Sequence, residues 1–255
     1  MNRYRIDIEY DGTAYCGWQK QNDAQEASSK KSIQSAIEEA LFRYCQEDIT
    51  LTVAGRTDAG VHAMHQVAHF DMQKQPKNSA SEIALALRYH LGVAKENITI
   101  LSSQKVNNNF SARFDAKKRH YLYRIILRKA PLALDATRAW QISYPLDIEN
   151  MRHAAKLLLG KHDFTSFRSS QCQAKNPIRT LDNIDFELQG DNLYIKVSAQ
   201  SFLHNQVRAM VGTLYNVGRG FWQAKYINEI LQAKSRCKAG PNAPAHGLYL
   251  YKIEY

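Results

Sequence analysis

The sequence predicts an α+β fold built on a largely antiparallel or mixed sheet covered by helices. Three observations carry that prediction: apolar residues alternate in several segments, they recur at helical spacing in others, and tight turns rather than regular crossovers join neighbouring strands. Arg3 to Tyr10 places Tyr4, Ile6, Ile8 and Tyr10 on one face, the period of a half-buried strand, and Asp11-Gly12 supplies the turn after it. From Ser32 to Tyr44, Ile33, Ala36, Ile37, Ala40, Leu41 and Tyr44 recur at helical spacing. The polar stretch QNDAQEASSKK between them, from Gln21 to Lys31, reads as a mobile surface loop. Ile49 to Ala54 and Gln66 to Phe70 read as strands flanking the segment AGRTDAGVHA, so that segment, Ala54 to Ala63, is expected at the end of a sheet. A helix over Ser79 to Tyr89 and a strand over Ile98 to Val106 follow.

The same order then recurs. A strand over Tyr121 to Leu127 leads to a helix over Asp147 to Leu159. Two strands, Ile178 to Leu188 and Leu193 to Ala199, turn at Gly190-Asp191, and helices over His204 to Val217 and Tyr226 to Gln232 come after them. Two similar β-and-α halves are expected, residues 1–106 and 107–255, with Asn107 to Lys118 as the crossover between them.

A chain of 255 residues with 44% hydrophobic content is long enough to bury a substantial core. Its 34 Lys and Arg against 24 Asp and Glu give a formal charge of +10, a field that attracts polyanions, nucleic acid first among them. Cys16, Cys45, Cys172 and Cys237 lie far apart with no C-x-x-C pair, which argues against a zinc ribbon or a disulfide framework and for free thiols in a reducing compartment. Charges interrupt every apolar run, including those of the N-terminal MNRYRIDIEYDG. Neither secretion nor membrane insertion is expected, and the cytoplasm is the expected location.

The segment AGRTDAGVHA packs Gly55, Arg56, Asp58 and Gly60 into six residues, a composition suited to close approach of a ligand. Arg56 lies two residues from Asp58, and an arginine beside a carboxylate favours its ionised form. Read on residue types alone, two roles stay open: an ion-paired structural turn, or an ionised carboxylate able to act as nucleophile or base. The run Lys117-Lys118-Arg119-His120 directly precedes Tyr121 and is joined by Arg152, Lys156, Lys161 and Arg168 further on, and by Arg3 and Arg5 at the start. Such a run is either a solvated face or a set of phosphate contacts.

AGRTDAGVHA is also the point at which the chain resembles a known family, tRNA pseudouridine synthase A, which isomerises uridines at positions 38 to 40 of the anticodon arm. Further segments are similar in the same order: YRIDIEYDGTAYCGWQKQ (Tyr4 to Gln21), NFSARFDAKKRHYLYRI (Asn109 to Ile125), HDFTSFRSSQCQAKNPIRTL (His162 to Leu181), SFLHNQVRAMVGTLYNVGRG (Ser201 to Gly220) and PAHGLYLYKIEY (Pro244 to Tyr255). The resemblance implies the pseudouridine synthase fold, with its two halves around a central active-site cleft, and a reaction without metal or other cofactor. It implies Asp58 as the nucleophile, Arg56 as a residue holding the flipped nucleotide, Tyr121 as the ring that stacks on the target uracil and Arg208 as the arginine paired with the aspartate. Lys117, Lys118 and Arg119 become contacts to the tRNA, and a homodimer with one tRNA touching both subunits is implied as well. Two departures from the family pattern stand out: the stretch between Gln21 and Ser32 is longer than usual, and the residues between His204 and Val207 differ from the common form, with Arg208 kept in register.

Two readings of other classes compete. His62, His65 and His69 form H-x-x-H-x-x-x-H, a spacing that can hold a metal, as in a metal-dependent hydrolase. The segment HQVAH carries Gln66 where the H-E-x-x-H pattern needs its glutamate, and Val67, Ala68 and Phe70 suggest a strand. A non-catalytic RNA-binding module would be expected to show an aromatic RNA-recognition signature, and none occurs. Nor do the common phosphate-loop, dinucleotide-binding or nucleophile-elbow motifs.

Overall fold

The structure, a computed structural model, describes residues 1–20, 30–77 and 79–255. The stretch read as a surface loop therefore lies, over residues 21–29, outside the described residues. The chain forms β1 (Asn2–Tyr10), α1 (Ile33–Cys45), β2 (Thr52–Val53), β3 (His62–Met72), α2 (Ser81–Val93), β4 (Ile98–Val106), β5 (Lys118–Leu127), β6 (Trp140–Ile142), α3 (Ile148–Lys156), β7 (Gly160–Asp163), β8 (Ile178–Gln189), β9 (Asn192–Ala199), α4 (Gln206–Gly218), α5 (Tyr226–Ala233) and β10 (Leu248–Glu254). It divides into two compact units, Met1–Lys117 with Tyr249–Tyr255, and Lys118–Leu248.

In the first unit the strand order is β4-β1-β3-β10, with β2 beside β3. All pairs are antiparallel except β3 with β10, which run parallel through Tyr249 opposite His62 and Leu250 opposite Ala63. The alternation in β1 buries Tyr4, Ile6, Ile8 and Tyr10, as the period-two pattern predicts. The buried residues of α1 (Ile33, Ile37, Leu41) and α2 (Ile83, Leu87, Leu91) supply the rest of this core, each fully buried large side chain contributing about 1.5–3 kcal/mol. Ser32 caps α1 by accepting a 3.0 Å bond from the Ser35 amide, and Gln46 ends it in the left-handed region at φ 60°.

The strand expected over Ile49 to Ala54 is shorter than its apolar content suggests. Ile49 and Leu51 are buried, but the Leu51 amide donates to Glu38 Oε1 at 3.0 Å instead of to a neighbouring strand, so ladder pairing begins only at Thr52. A side-chain acceptor on α1 has replaced a backbone one.

In the second unit the order is β5-β9-β8-β7, antiparallel throughout, with β6 parallel to β5. The β8–β9 hairpin turns at Gly190, in the left-handed region at φ 56°, where the sequence places it. Tyr123, Ile125, Leu193, Ile195 and Val197 line the sheet side of the core, and Met151, Met210, Leu214 and Val217 the helix side. Asp147 caps α3 by accepting from the Asn150 amide at 2.9 Å. Both units thus combine a sheet with helices, an α+β architecture with antiparallel strands in the majority. No helix among the described residues is long and apolar enough to cross a membrane.

The backbone of α4 lies directly against the segment that returns toward β10. A Cβ added at Gly212 would stand 1.8 Å from the Pro241 carbonyl oxygen, and Thr213 Oγ1 accepts from the Gly240 amide at 2.9 Å. Because the clash is with backbone, no rotamer change relieves it. Gly212→Ala is therefore expected to destabilise the protein by about 3 kcal/mol, the upper end of the usual overpacking cost. A lowered thermal midpoint would be the readout, and an unchanged one would contradict this packing.

Candidate functional site

The segment Ala54 to Ala63 leaves the first unit's sheet after β2 and re-enters it at β3, and buried side chains hold its backbone at several points. The Ala54 amide makes the last ladder bond, to the Val67 carbonyl at 2.9 Å. Gln66, fully buried, donates from Nε2 to the Gly55 carbonyl at 2.7 Å. Thr57 turns inward, and its hydroxyl shares a 2.7 Å hydrogen bond with the Tyr10 hydroxyl. Burial pushes the Tyr10 phenol up to about 12, against the opposing pull of its bonds to Thr57 and Gln66, so it stays a neutral hydroxyl. The Val61 amide closes the turn on the Asp58 carbonyl at 3.1 Å.

A second piece of chain braces the loop from outside the sheet. The Trp18 amide donates to the Thr57 carbonyl at 3.0 Å, and a single antiparallel bridge joins Gly17 to Asp58. Gly17 has φ 106°, and a Cβ on it would stand 2.8 Å from the Thr57 oxygen, so glycine is required on both counts. The carbonyls of Gly17 and Trp18 in turn accept from the Ile33 and Gln34 amides, two of the otherwise orphaned donors at the start of α1. Trp18 is almost fully buried, its ring 6.2 Å from that of Tyr10. The bracing therefore runs from helix through loop to sheet.

With Thr57 drawn inward, its neighbours face outward. Asp58 is half-buried and Arg56 exposed, and Arg56 makes no ion pair among the described residues. The proximity of Arg56 to Asp58 along the chain is thus not a side-chain pair, and among the described residues no carboxylate engages the guanidinium.

Tyr121 and Arg208 belong to the second unit. Tyr121 lies on β5 opposite Val197, half-buried, with its ring edge-on to that of Phe202 at 5.1 Å. Tyr123, on the same face, is fully buried and donates to the Pro244 carbonyl at 2.8 Å. Burial raises its phenol pKa far above the ordinary value, with the Arg208 charge pulling the other way. Arg208 stands in the first turn of α4, half-buried, its Nε donating to the Ala243 carbonyl at 2.8 Å and its Nη1 to Asn205 Oδ1 at 3.0 Å. Asn205 itself is left-handed at φ 64°. Two donors of this guanidinium are thereby fixed, which sets the plane of the group.

The basic run divides into three environments. Lys117 is exposed, Lys118 pairs with Asp182 at 3.2 Å, and Arg119 is buried with its guanidinium bonded to the Gln200 carbonyl. Alternation along β5 separates charges that are adjacent in sequence.

The three histidines lie on a strand, β3, and each has a partner of its own. His62 is buried, accepts from the Gly12 amide at 3.1 Å and stacks on Tyr249 with ring centroids 4.8 Å apart. His65 faces Asp7 at 3.9 Å, and His69 Nδ1 accepts from the Ala112 amide at 3.1 Å. Among the described residues no three His, Cys, Asp or Glu side chains are grouped so as to hold a metal ion. The geometry gives the hydrolase reading no support.

A family model described as tRNA pseudouridine synthase matches residues 7–115 and 154–255. The chain belongs to this family. Curated relatives named tRNA pseudouridine synthase A, from Brucella ovis and Brucella canis, are each 49% identical over 255 residues, covering 100% of this chain and 98% of theirs. A chain of a Cbf5-Nop10-Gar1 complex of known structure aligns over 83% of this chain and 54% of that one, at 10% identity and a TM-score of 0.35, a likeness too weak to argue from. The family match takes in Arg56, Asp58 and Arg208, whereas Tyr121 and the basic run fall between its two matched segments. The residues that brace the loop, Tyr10, Trp18 and Gln66, also lie inside it. Nothing in their sequence setting separates them from ordinary core positions.

Two outcomes follow from the bracing. Tyr10→Phe strands the Thr57 hydroxyl in the core and is expected to cost about 1–3 kcal/mol of unfolding free energy by urea titration; a neutral effect would mean the pair does not hold the loop. The second concerns His69, whose pKa burial and the Arg3 charge lower from 6.5. Between the folded value and 6.5 the unfolded chain binds the proton more readily, so this contribution is complete above pH 6.5 and is lost as pH falls through the folded value. Urea titrations at pH 7.5 and 5 should show a steeper loss for the wild type than for His69→Gln, which retains an acceptor. Equal losses would remove His69 as the cause.

Proposed function

We propose that this protein converts uridine to pseudouridine at positions 38, 39 and 40 of the tRNA anticodon arm, with Asp58 as its nucleophile. The observation that carries the reading is the placement of Asp58: a half-exposed carboxylate on a loop whose backbone is pinned from both sides, in a chain that belongs to the tRNA pseudouridine synthase family. The reaction breaks the N1 to C1′ bond, turns the uracil and joins C5 to C1′, after which the C5 proton is lost and N1 gains one. Nothing is oxidised and no group is imported, so the chemistry calls for no metal or other cofactor. Addition of the carboxylate to C6, its attack at C1′, and its assistance to a glycal all begin from an ionised Asp58.

The remaining roles are those the family resemblance implies, and the setting of each residue is compatible with its role. The target uridine leaves the RNA stack before it reacts, and the half-exposed ring of Tyr121 replaces part of the lost stacking. Arg56, with no ion pair among the described residues, is suited to hold the flipped nucleotide through its phosphate. Arg208, its plane fixed by Ala243 and Asn205, supplies positive charge to the reaction. Lys117, Lys118 and Arg119 contribute to the field that draws in the tRNA, Lys117 by direct exposure. Two copies of the chain act as a homodimer, one tRNA contacting both, in the cytoplasm.

In a test with tRNA tritiated at uridine C5, the wild-type protein should release tritium without added metal, and sequencing after cyanoethylation should map pseudouridine to positions 38 to 40. Asp58→Asn should reduce release to the no-enzyme level while still binding tRNA. Full activity in that variant would sink the assignment of Asp58, and pseudouridine confined to another arm of the tRNA would sink the assignment of the substrate site.

A further inference from the structure

The second unit contains a cavity of about 330 Å³ whose lining includes Lys161, Asn176, Arg179, Thr180, Gln200 and Ser201. Strand pairing assembles it. Lys161 on β7 lies opposite Thr180 on β8, His162 opposite Arg179, and the chain beyond β9 brings Gln200 and Ser201 alongside. Among the described residues no acidic side chain lines the cavity. The carboxylates next along these strands are already engaged, Asp163 with Lys234 at 3.4 Å and with Thr165, and Asp182 with Lys118.

The cations of the cavity are not neutralised by the protein. Among the described residues neither Lys161 nor Arg179 makes an ion pair. Arg179 is oriented by two bonds from Nη1, to the Asn176 carbonyl at 2.9 Å and the Ile178 carbonyl at 2.7 Å. Its Nε is buried without a hydrogen-bond acceptor. Burial lowers the guanidinium pKa, the sign of a cation held away from water with no anion to offset it. A third positive charge backs the wall, because Arg119 donates to the Gln200 carbonyl. A cavity of this size with several positive charges and side-chain amides and hydroxyls suits a phosphodiester with its attached sugar.

The position ties the cavity to Tyr121. Ser201 directly precedes Phe202, whose ring meets that of Tyr121, and Arg119 lies two residues before Tyr121 on β5, roughly 7 Å along the strand. We propose that the pocket of Lys161 and Arg179 binds a backbone phosphate of the RNA beside the flipped uridine. This rests on the tRNA reading given above. The contact is blind to base identity, which suits an enzyme that accepts several neighbouring uridines.

The test measures tRNA binding by filter retention over a series of salt concentrations for Lys161→Gln, Arg179→Gln and a control, Lys129→Gln, which removes one exposed charge elsewhere. Each pocket variant is expected to raise Kd about tenfold and to reduce the slope of log K against log salt by roughly 0.7–0.9, the loss of one phosphate contact. Arg179→Gln also removes bonds to the Asn176–Ile178 turn and can fail to fold; Lys161 is exposed, so its variant carries the test alone. Pocket variants that bind with the Kd and slope of Lys129→Gln, while the wild type forms pseudouridine, overturn the pocket and leave the isomerase reading standing. A wild type that forms no pseudouridine, with pocket variants that still lose the slope, overturns the isomerase reading and keeps the pocket.

Discussion

Tyr10 and Thr57 meet through their hydroxyls at 2.7 Å inside the first unit, and the presentation of Asp58 depends on that contact. Thr57 is the residue between Arg56 and Asp58. In an extended segment successive side chains point to opposite sides, so drawing one residue inward sends both neighbours outward. The hydroxyl pair is therefore more than a satisfied polar contact. Breaking it would leave a buried oxygen unpaired and would also release the rotation of the backbone on either side. The Gln66 amide does the same at Gly55, and the Trp18 amide at the Thr57 carbonyl, so each turn of the loop has its own anchor.

Such anchoring matters because the proposed chemistry asks little of the protein beyond position. A carboxylate is a modest nucleophile, and in the proposed reaction the rate would come from holding it at reacting distance from a nucleotide already out of its stack. A loop free to move would spend that advantage in conformational entropy, at about 1–2 kcal/mol per residue left unfixed. Here the loop is held without any contact from substrate, because the bracing chain is itself fastened to the first turn of α1. Histidines serve the same end at other points: His62 Nδ1 lies 3.1 Å from the Gly12 amide and 3.2 Å from Asp11 Oδ1, and His69 accepts from the Ala112 amide.

Periodicity made much of this fold legible, and its failures have physical reasons. The helical repeat from Ile33 and the capping Ser32 define α1 closely, and β4 spans Ile98 to Val106 as read, because these are local signals. The end of the chain is different. The strand β10 pairs with β3, and no local pattern in HGLYLYKIEY names a partner so far back along the chain. Likewise β2 is trimmed by a Glu38 carboxylate that no pattern in Ile49 to Ala54 contains. At the proposed site, Asp58 stands out in the sequence through its motif, whereas Tyr10, Trp18 and Gln66 do not. Each sits where a core residue would sit, and only the three-dimensional partner shows that its polar atom is the working part.

Charge was the least legible property, and the structure explains why. A formal charge of +10 states how much positive field exists but not where it acts. Many of the cations are spent on the fold: Arg3 on Asp71, Arg124 on Asp135, Arg88 on the carbonyls of Ile100 and Leu101, Arg236 on that of Gly240. Arg119 and Lys118, adjacent in a run that reads as one patch, are spent as well, one on a carbonyl and the other on a carboxylate. Subtracting these leaves, among other cations, Arg56 beside Asp58 in the chain, and Lys161 with the unbonded Nε of Arg179 around a cavity that no carboxylate among the described residues lines. A cation already bonded to the protein has less to offer a phosphate than one that is not, because the incoming anion must compete with the partner in place. The uncommitted cations, rather than the densest run of them, are therefore where a polyanion gains most by binding.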